Sequence, residues 1–212
     1  MSKVLVICAR RYNGHELWTL LGVLQQRGHA FDVVSTDYII RDELTMQPNT
    51  IPKLVYEVSP ESHVDYDGIC VVSGNMADTE AYWTDPHVEL LLKTFREAGK
   101  VIAAICCSVP TLAPVAKDVK VSYFPLIRSR KRLQQYGAIL EPVSLTVDQN
   151  TVTAENQMFT QMWGTEICNL LEGLEPTVKL VASGFIPQGR PRKMPPNIQE
   201  AIDFAKAHKN DS

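Results

Sequence analysis

The sequence predicts an α/β protein, a three-layer sandwich with a mostly parallel sheet between two helical layers. Three observations carry that expectation. Apolar runs of strand length, rich in Val and Ile, recur at KVLVIC (3–8), ICVV (69–72) and VIAAIC (101–106). Longer stretches with apolar residues at helical spacing lie between them. Strands that alternate with helices pair in parallel through right-handed crossovers, which places helices on both faces of the sheet.

Taken in order, KVLVIC is the first buried strand, bounded by charge. GHELWTLLGVLQQRG follows, with Leu17, Leu20, Leu21 and Leu24 at helical spacing and Gly28 placed to end the helix. HAFDVVS (29–35) is a second strand, and KLVYEVS (53–59) a third that lies more exposed. The run 66–74 ends in glycine, and the stretch 73–85 reads as a loop carrying Tyr82 and Trp83 as packing or lid residues. DPHVELLLKTFREAGK is the best-marked helix: Asp85 suits the N-cap, Pro86 the first helical position and Gly99 the C-terminal cap. VIAAIC leads into a further helix near Pro110, which Pro114 should kink or shorten. EPVSLTVDQNTVTAEN divides into two short strands around a turn at Asp148, Gln149 and Asn150. A last core helix covers 157–173, FIPQGRPRKMPPN (185–197) reads as a loop, and IQEAIDFAKAH (198–208) is a short amphipathic helix.

At 212 residues the chain suits one well-filled domain, 1–212, with a core over 3–173 and an extension over 174–212. A net charge of −3 argues against nucleic acid or an anionic membrane as the main partner. The basic cluster Arg128, Arg130, Lys131 and Arg132 is read as a solvated helix face. No window reaches the apolar length of a membrane span, and the opening MSKVLVICARRYNG lacks an export signal, so the expected location is the cytoplasm. The five cysteines lack zinc-ligand spacing; no metal and no cofactor are expected, and in a reducing compartment the thiols stay free.

Ligands in such sheets gather beyond the carboxyl ends of the strands, here the loops after residues 8, 73 and 105. Cys106 stands where a strand turns sharply into a helix, which lifts its side chain above the sheet as in a nucleophile elbow. The helix N-terminus favours its thiolate. Cys106 and Cys107 read equally well as buried filler, Cys107 more so because its side chain should point elsewhere, or as a resolving thiol after oxidation. Gly74 and Asn75 are candidate oxyanion donors, or simply a turn. Glu16 fits a capping box with Asn13 as N-cap, a role that needs no chemistry.

The combination YDGICVVSGN, the helix 85–99 and GKVIAAICCSVPTLA resembles the ThiJ/PfpI superfamily, which includes the Parkinson-disease-associated deglycase and the PfpI-type proteases. The resemblance covers residues 3–172 and extends to VSLTVDQNTVTA with the helix after it. It implies a flavodoxin-like sandwich and a homodimer. It also implies a nucleophilic, oxidation-prone cysteine at Cys106, a proton-holding glutamate at Glu16, and oxyanion amides at Gly74 and Cys107 with Asn75 adjoining. Arg41 matches the arginine that some members bring across the dimer interface. Two departures limit the chemistry. PfpI-type members carry histidine directly after the cysteine, where this chain has Cys107. Deglycase-type members supply one before a Pro-Leu pair, where this chain has Phe124. The family's Gly- and Pro-containing turn before the last core helix has become AENQMF, so Glu155 and Asn156 are further crevice candidates.

Two functions of different class follow from the resemblance. In one, Cys106 attacks a small reactive carbonyl such as a 2-oxoaldehyde, with Glu16 moving the proton; a Cys–His peptidase is not expected, because the histidine base is missing. In the other the protein is no enzyme, and Cys106 serves as an oxidative-stress sensor or the chain as a chaperone-like binding protein. A scaffold that has lost its chemistry is the third alternative.

Overall fold

The computed structural model describes residues 1–178, 180–182 and 197–207. Eight strands form the main sheet: β1 (Lys3–Cys8), β2 (Ala30–Ser35), β3 (Lys53–Leu54), β4 (Gly68–Val72), β5 (Val101–Ile105), β6 (Val143–Asp148), β7 (Thr151–Ala154) and β8 (Leu180–Ala182). Their order is β8-β6-β7-β5-β4-β1-β2-β3, parallel from β7 to β3, with β6 antiparallel to both β7 and β8.

Successive side chains of a strand point to opposite faces, so a strand buried on both sides must be apolar throughout. β1 does this with Val4, Val6 and Cys8 toward one core and Leu5 and Ile7 toward the other. β4 and β5 repeat the division, Cys70 and Val72 against Ile69 and Val71, then Ala103 and Ile105 against Ile102 and Ala104. Three helices cover the first face: α1 (Gly14–Gln26), α5 (Thr160–Leu171) and α6 (Ile198–Ala207). The second is covered by α2 (Met76–Trp83), α3 (Pro86–Glu97), α4 (Ile127–Gln135) and a 3-10 helix over Cys106–Val115.

Helix ends follow local chemistry. Asp85 caps α3 by accepting from the amides of His87 and Val88, and Gly99 turns the chain out at φ 67°. Arg27 is the C-terminal cap of α1, and Gly28 follows it at φ 73°. The turn between β6 and β7 places Gln149 at φ 52°.

Four segments depart from expectation. KLVYEVS pairs with β2 only at Lys53 and Leu54, then coils into a 3-10 turn at Val55–Glu57 that buries Val55. The segment 73–85, expected as a loop, contains α2; its buried residues Thr79, Tyr82 and Trp83 fall at helical spacing, but only two of them are apolar and they span little more than one turn, too short a pattern for periodicity to mark. The helix after Cys106 is 3-10 over ten residues, because Pro110 and Pro114 lack the N–H groups an α-helix would use. The last core helix opens with a 3-10 turn at Gln157–Phe159 before α5. The expected loop 185–197 lies outside the described residues except for Asn197. Beyond it, α6 buries Ile198 and Ile202 in the core that holds α1, so this part of the extension belongs to the packed domain.

Candidate active site

The sheet register brings three chain ends to one level. Cys8 pairs with Val72 and Val71 with Ala104, so Ala9, Ser73 and Cys106 leave neighbouring strands side by side. Cys106 adopts φ 57°, a left-handed conformation that a residue with a Cβ avoids unless its surroundings enforce it. Ser108 supplies that enforcement. Its fully buried Oγ accepts from the Ile105 amide at 3.1 Å and lies 2.7 Å from the carbonyls of Val71 and Ile105. On the far side the Trp83 indole N–H donates to the Cys107 carbonyl at 2.9 Å. Arg132 adds donors to the carbonyls of Pro110 and Trp83, so this member of the basic cluster braces the elbow instead of facing solvent. Arg128 pairs with Glu80.

Glu16 lies wholly buried in the first turn of α1. Asn13 caps that helix by accepting from the Glu16 amide at 3.1 Å, yet only half of the expected capping box forms. The Asn13 amide donates to the Ser73 carbonyl at 2.9 Å, leaving nothing there for the glutamate to accept. The carboxylate turns to Ser73 instead: Oε2 accepts from the Ser73 amide at 2.9 Å and from its hydroxyl at 2.7 Å, while Oε1 has no partner. Burial pushes the Glu16 carboxyl up to about 8 against the pull of the Ser73 bonds, and negative charge on Cys107 adds to the rise. At neutral pH Glu16 therefore holds a proton. Neither carboxyl oxygen is hydrogen-bonded to Cys106.

The two elbow thiols influence each other's protonation. Cys106 is partly exposed and Cys107 is buried at 3 % exposure, its Sγ 3.7 Å from the Gly74 carbonyl. Interaction with the Cys106 side chain favours the Cys107 thiolate, aided by the nearby Ser73 and Thr79 hydroxyls. Interaction with the Cys107 side chain, then burial, push the Cys106 thiol up. The other cysteines are sealed in the core, where burial pushes Cys8 and Cys168 up to about 12 and Cys70 higher still.

The expected oxyanion donors divide. The Cys107 amide faces the Cys106 sulfur. The Gly74 amide instead donates to Thr79 Oγ1 at 3.1 Å and the Asn75 amide to the Arg11 carbonyl at 2.7 Å, which removes both from the donor set; the Asn75 side chain caps α2. Arg41 is not brought to the elbow. It sits on a short strand (Ile39–Asp42) and donates to the Met46 carbonyl at 3.3 Å. With Arg10, Arg11, Asp37 and Ile39 it lines a separate cleft of about 350 Å³. Ala154 pairs with Ile105, so Glu155 and Asn156 leave the sheet beside Cys106. Glu155 accepts from the Ser144 hydroxyl at 2.9 Å, and Asn156 caps the turn that opens α5.

Ser73, Thr79, Trp83 and Ser108 shape this site and were not singled out for it by sequence reasoning, except Trp83 as packing. The hydroxyls carried only one signal, their position within a few residues of Gly74 and Cys106. Among the described histidines, His87 Nε2 is bonded to the carbonyls of Val55 and Val58, His63 Nδ1 lies against the Pro60 carbonyl and His29 lies against Glu172. Among the described residues no cluster of three or more His, Cys, Asp or Glu side chains is placed to hold a metal ion. Among the same residues no helix is long and apolar enough to cross a membrane.

A parallel α/β sandwich with a strained cysteine between strand and helix, next to a buried glutamate, defines a class of elbow-cysteine proteins. Within that class the sequence profile of the DJ-1/PfpI family matches residues 2–169, and the chain belongs to that family. An uncharacterized protein of Methanocaldococcus jannaschii is 30 % identical over 174 residues, covering 81 % of this chain and 83 % of its own. The crystal structure of a ThiJ/PfpI domain protein from Brachyspira murdochii shares the fold at TM-score 0.73 and 19 % identity, covering 82 % of this chain and 98 % of that one. Oxidized DJ-1 of Toxoplasma gondii does so at TM-score 0.67 and 22 % identity, over 81 % and 91 %.

Proposed function

We propose that this protein uses Cys106 as a nucleophile toward small reactive carbonyls of the 2-oxoaldehyde type. The observation that carries the reading is the pairing of a partly exposed cysteine at φ 57° with a protonated, fully buried glutamate beside it. As Cys106 attacks, its proton passes to the neighbouring Cys107 sulfur, whose thiolate the surroundings favour. The sulfur–carbon bond forms, the carbonyl oxygen becomes an oxyanion near the Cys107 amide, and Glu16 supplies its proton to give a hemithioacetal. Without a histidine base turnover is expected to be slow; general acid–base help is typically worth about 10²- to 10⁴-fold.

Exposed Ile39, Leu44 and Met46 surround the Arg41 segment, and we take this apolar edge to support a homodimer. A cytoplasmic location suits an unpaired, reactive thiol. Methylglyoxal consumption by the wild type and by Cys106→Ser tests the reading. The expected result is measurable turnover that falls at least about 100-fold in the variant. Equal rates, or no consumption above background, refute it. The oxidation-sensor alternative gains support from the second thiol beside Cys106.

A further inference from the structure

We propose that Ser73 is a positioning residue: by donating two hydrogen bonds to one oxygen of Glu16 it confines the carboxyl proton to the other, Oε1, and so makes Oε1 the donor to the substrate's oxyanion. The inference rests on Cys106 attacking a carbonyl, as the proposed function requires. Ser73 leaves β4 level with Cys106, because Val71 pairs with Ala104 in the neighbouring strand. It is 1 % exposed, and three of its atoms are tied to the start of α1. Its carbonyl accepts from the Asn13 amide at 2.9 Å, its amide donates to Glu16 Oε2 at 2.9 Å, and its hydroxyl donates to the same oxygen at 2.7 Å.

The carboxyl is thus unsymmetrical. Oε2 faces two donors, whereas Oε1 is sealed from solvent with no partner. A carboxylate buried with one oxygen unsatisfied is unfavourable, so the site selects the neutral acid. An amide N–H can only donate, so Oε2 has to remain an acceptor toward Ser73. A proton on Oε2 would force the serine hydroxyl to turn away and accept, and would leave Oε1 a carbonyl oxygen with nothing to accept from. A proton on Oε1 keeps both Ser73 bonds and leaves an O–H donor where no protein group accepts it. An oxygen of the substrate completes that position.

Ser73 also assists the transfer itself. When the oxyanion takes the proton, the O–H bond at Oε1 breaks, an O–H bond forms on the former carbonyl oxygen, and the electron pair stays with the carboxyl. The new charge spreads onto Oε2, where both Ser73 donors already stand. Hydrogen bonds to a charged acceptor are roughly twice as strong as neutral ones. The two bonds therefore strengthen only as charge develops, which raises kcat and leaves KM nearly alone. The backbone amide would hold Glu16 whatever residue stood at position 73; the hydroxyl is the part that serine adds.

Infrared spectra of the full chain, isotope-labelled at the glutamate carboxyl carbons and with Glu16→Gln as the blank, isolate the acid C=O stretch of Glu16. Accepted hydrogen bonds lower that stretch, so the wild type should show it well below the frequency of a free carboxylic acid, and Ser73→Ala should move it upward. Methylglyoxal kinetics read the functional half: in Ser73→Ala kcat should fall at least about tenfold with KM held within about twofold. A wild-type stretch at the free-acid frequency puts the proton on Oε2 and overturns the proposal, even where Ser73→Ala does not fold. The absence of any acid stretch at neutral pH overturns it as well. An unchanged kcat in folded Ser73→Ala, whatever the KM, overturns the positioning role while leaving the Cys106 reaction in place. No methylglyoxal consumption by the wild type overturns the reading of Cys106 and, with it, the part of Ser73 in the transfer.

Discussion

Glu16→Gln is the substitution whose consequence the structure fixes most closely. The glutamate is fully buried, its Oε2 takes two hydrogen bonds from Ser73, and its carboxyl is pushed up to about 8 from an ordinary value of 4.5. An acid whose folded pKa is raised binds its proton more tightly in the native state than in the unfolded one. Stability is therefore fully present below the unfolded value and is lost as pH rises toward the folded one. Each pH unit within that window costs about 1.4 kcal/mol, and between about pH 6 and about pH 8.5 the wild type should lose roughly 2.5 kcal/mol through this group. Glutamine keeps an oxygen for the Ser73 amide and hydroxyl but does not titrate. Cys106 and Cys107 remain in both proteins, so only the part of their titration that is coupled to Glu16 enters the comparison. Urea unfolding of both proteins at the two pH values is the assay. The stability difference should move in favour of Glu16→Gln by about 2–3 kcal/mol at the higher pH. A difference that stays constant within about 0.5 kcal/mol shows that Glu16 is ionised in the folded protein at neutral pH, and the proton donor assigned above does not exist.

Two further substitutions probe the elbow and the loop beside it. Ser108→Ala leaves the buried Ile105 amide without its side-chain acceptor and the Val71 carbonyl without a donor, and should destabilise by about 1–3 kcal/mol in denaturant unfolding, with a faster loss of Cys106 reactivity on warming. Gly74→Ala would set a Cβ 2.0 Å from the Arg11 carbonyl oxygen and 2.6 Å from the Tyr12 Cα, both backbone atoms. The Arg11 amide and side chain are tied to Asp78, so this strand cannot simply retreat. A loss of about 2–3 kcal/mol is expected, measured the same way, and an unchanged midpoint would contradict the packing described here.

Much of the architecture was legible because its causes are local. β1, β4 and β5 are apolar on both faces, which only a sheet covered on both sides tolerates. α3 carries its own boundaries in Asp85, Pro86 and Gly99. α2 had no such markings, since it is held by packing on the 3-10 helix and not by an apolar stripe. KLVYEVS had the composition of a strand, but burial of Val55 under the sheet edge favoured a turn after two residues.

The candidate site divides along the same line. The sequence by itself determined that a cysteine would stand at the tip of a buried strand with a second thiol next to it, because strand length, the small neighbours and the two prolines fix where the chain turns. It also placed Glu16 three residues from a helix cap. Only the tertiary structure decided what Glu16 does there. The Ser73 carbonyl, 57 residues away from it in sequence, takes the Asn13 amide and frees the carboxyl to enter the crevice. Tertiary contacts also engaged the Gly74 and Asn75 amides and carried Arg41 to a different cleft. Spacing along a chain can say which chemical groups arrive at a strand end. Which of them remain unpaired is settled by long-range hydrogen bonds, and burial then sets their protonation.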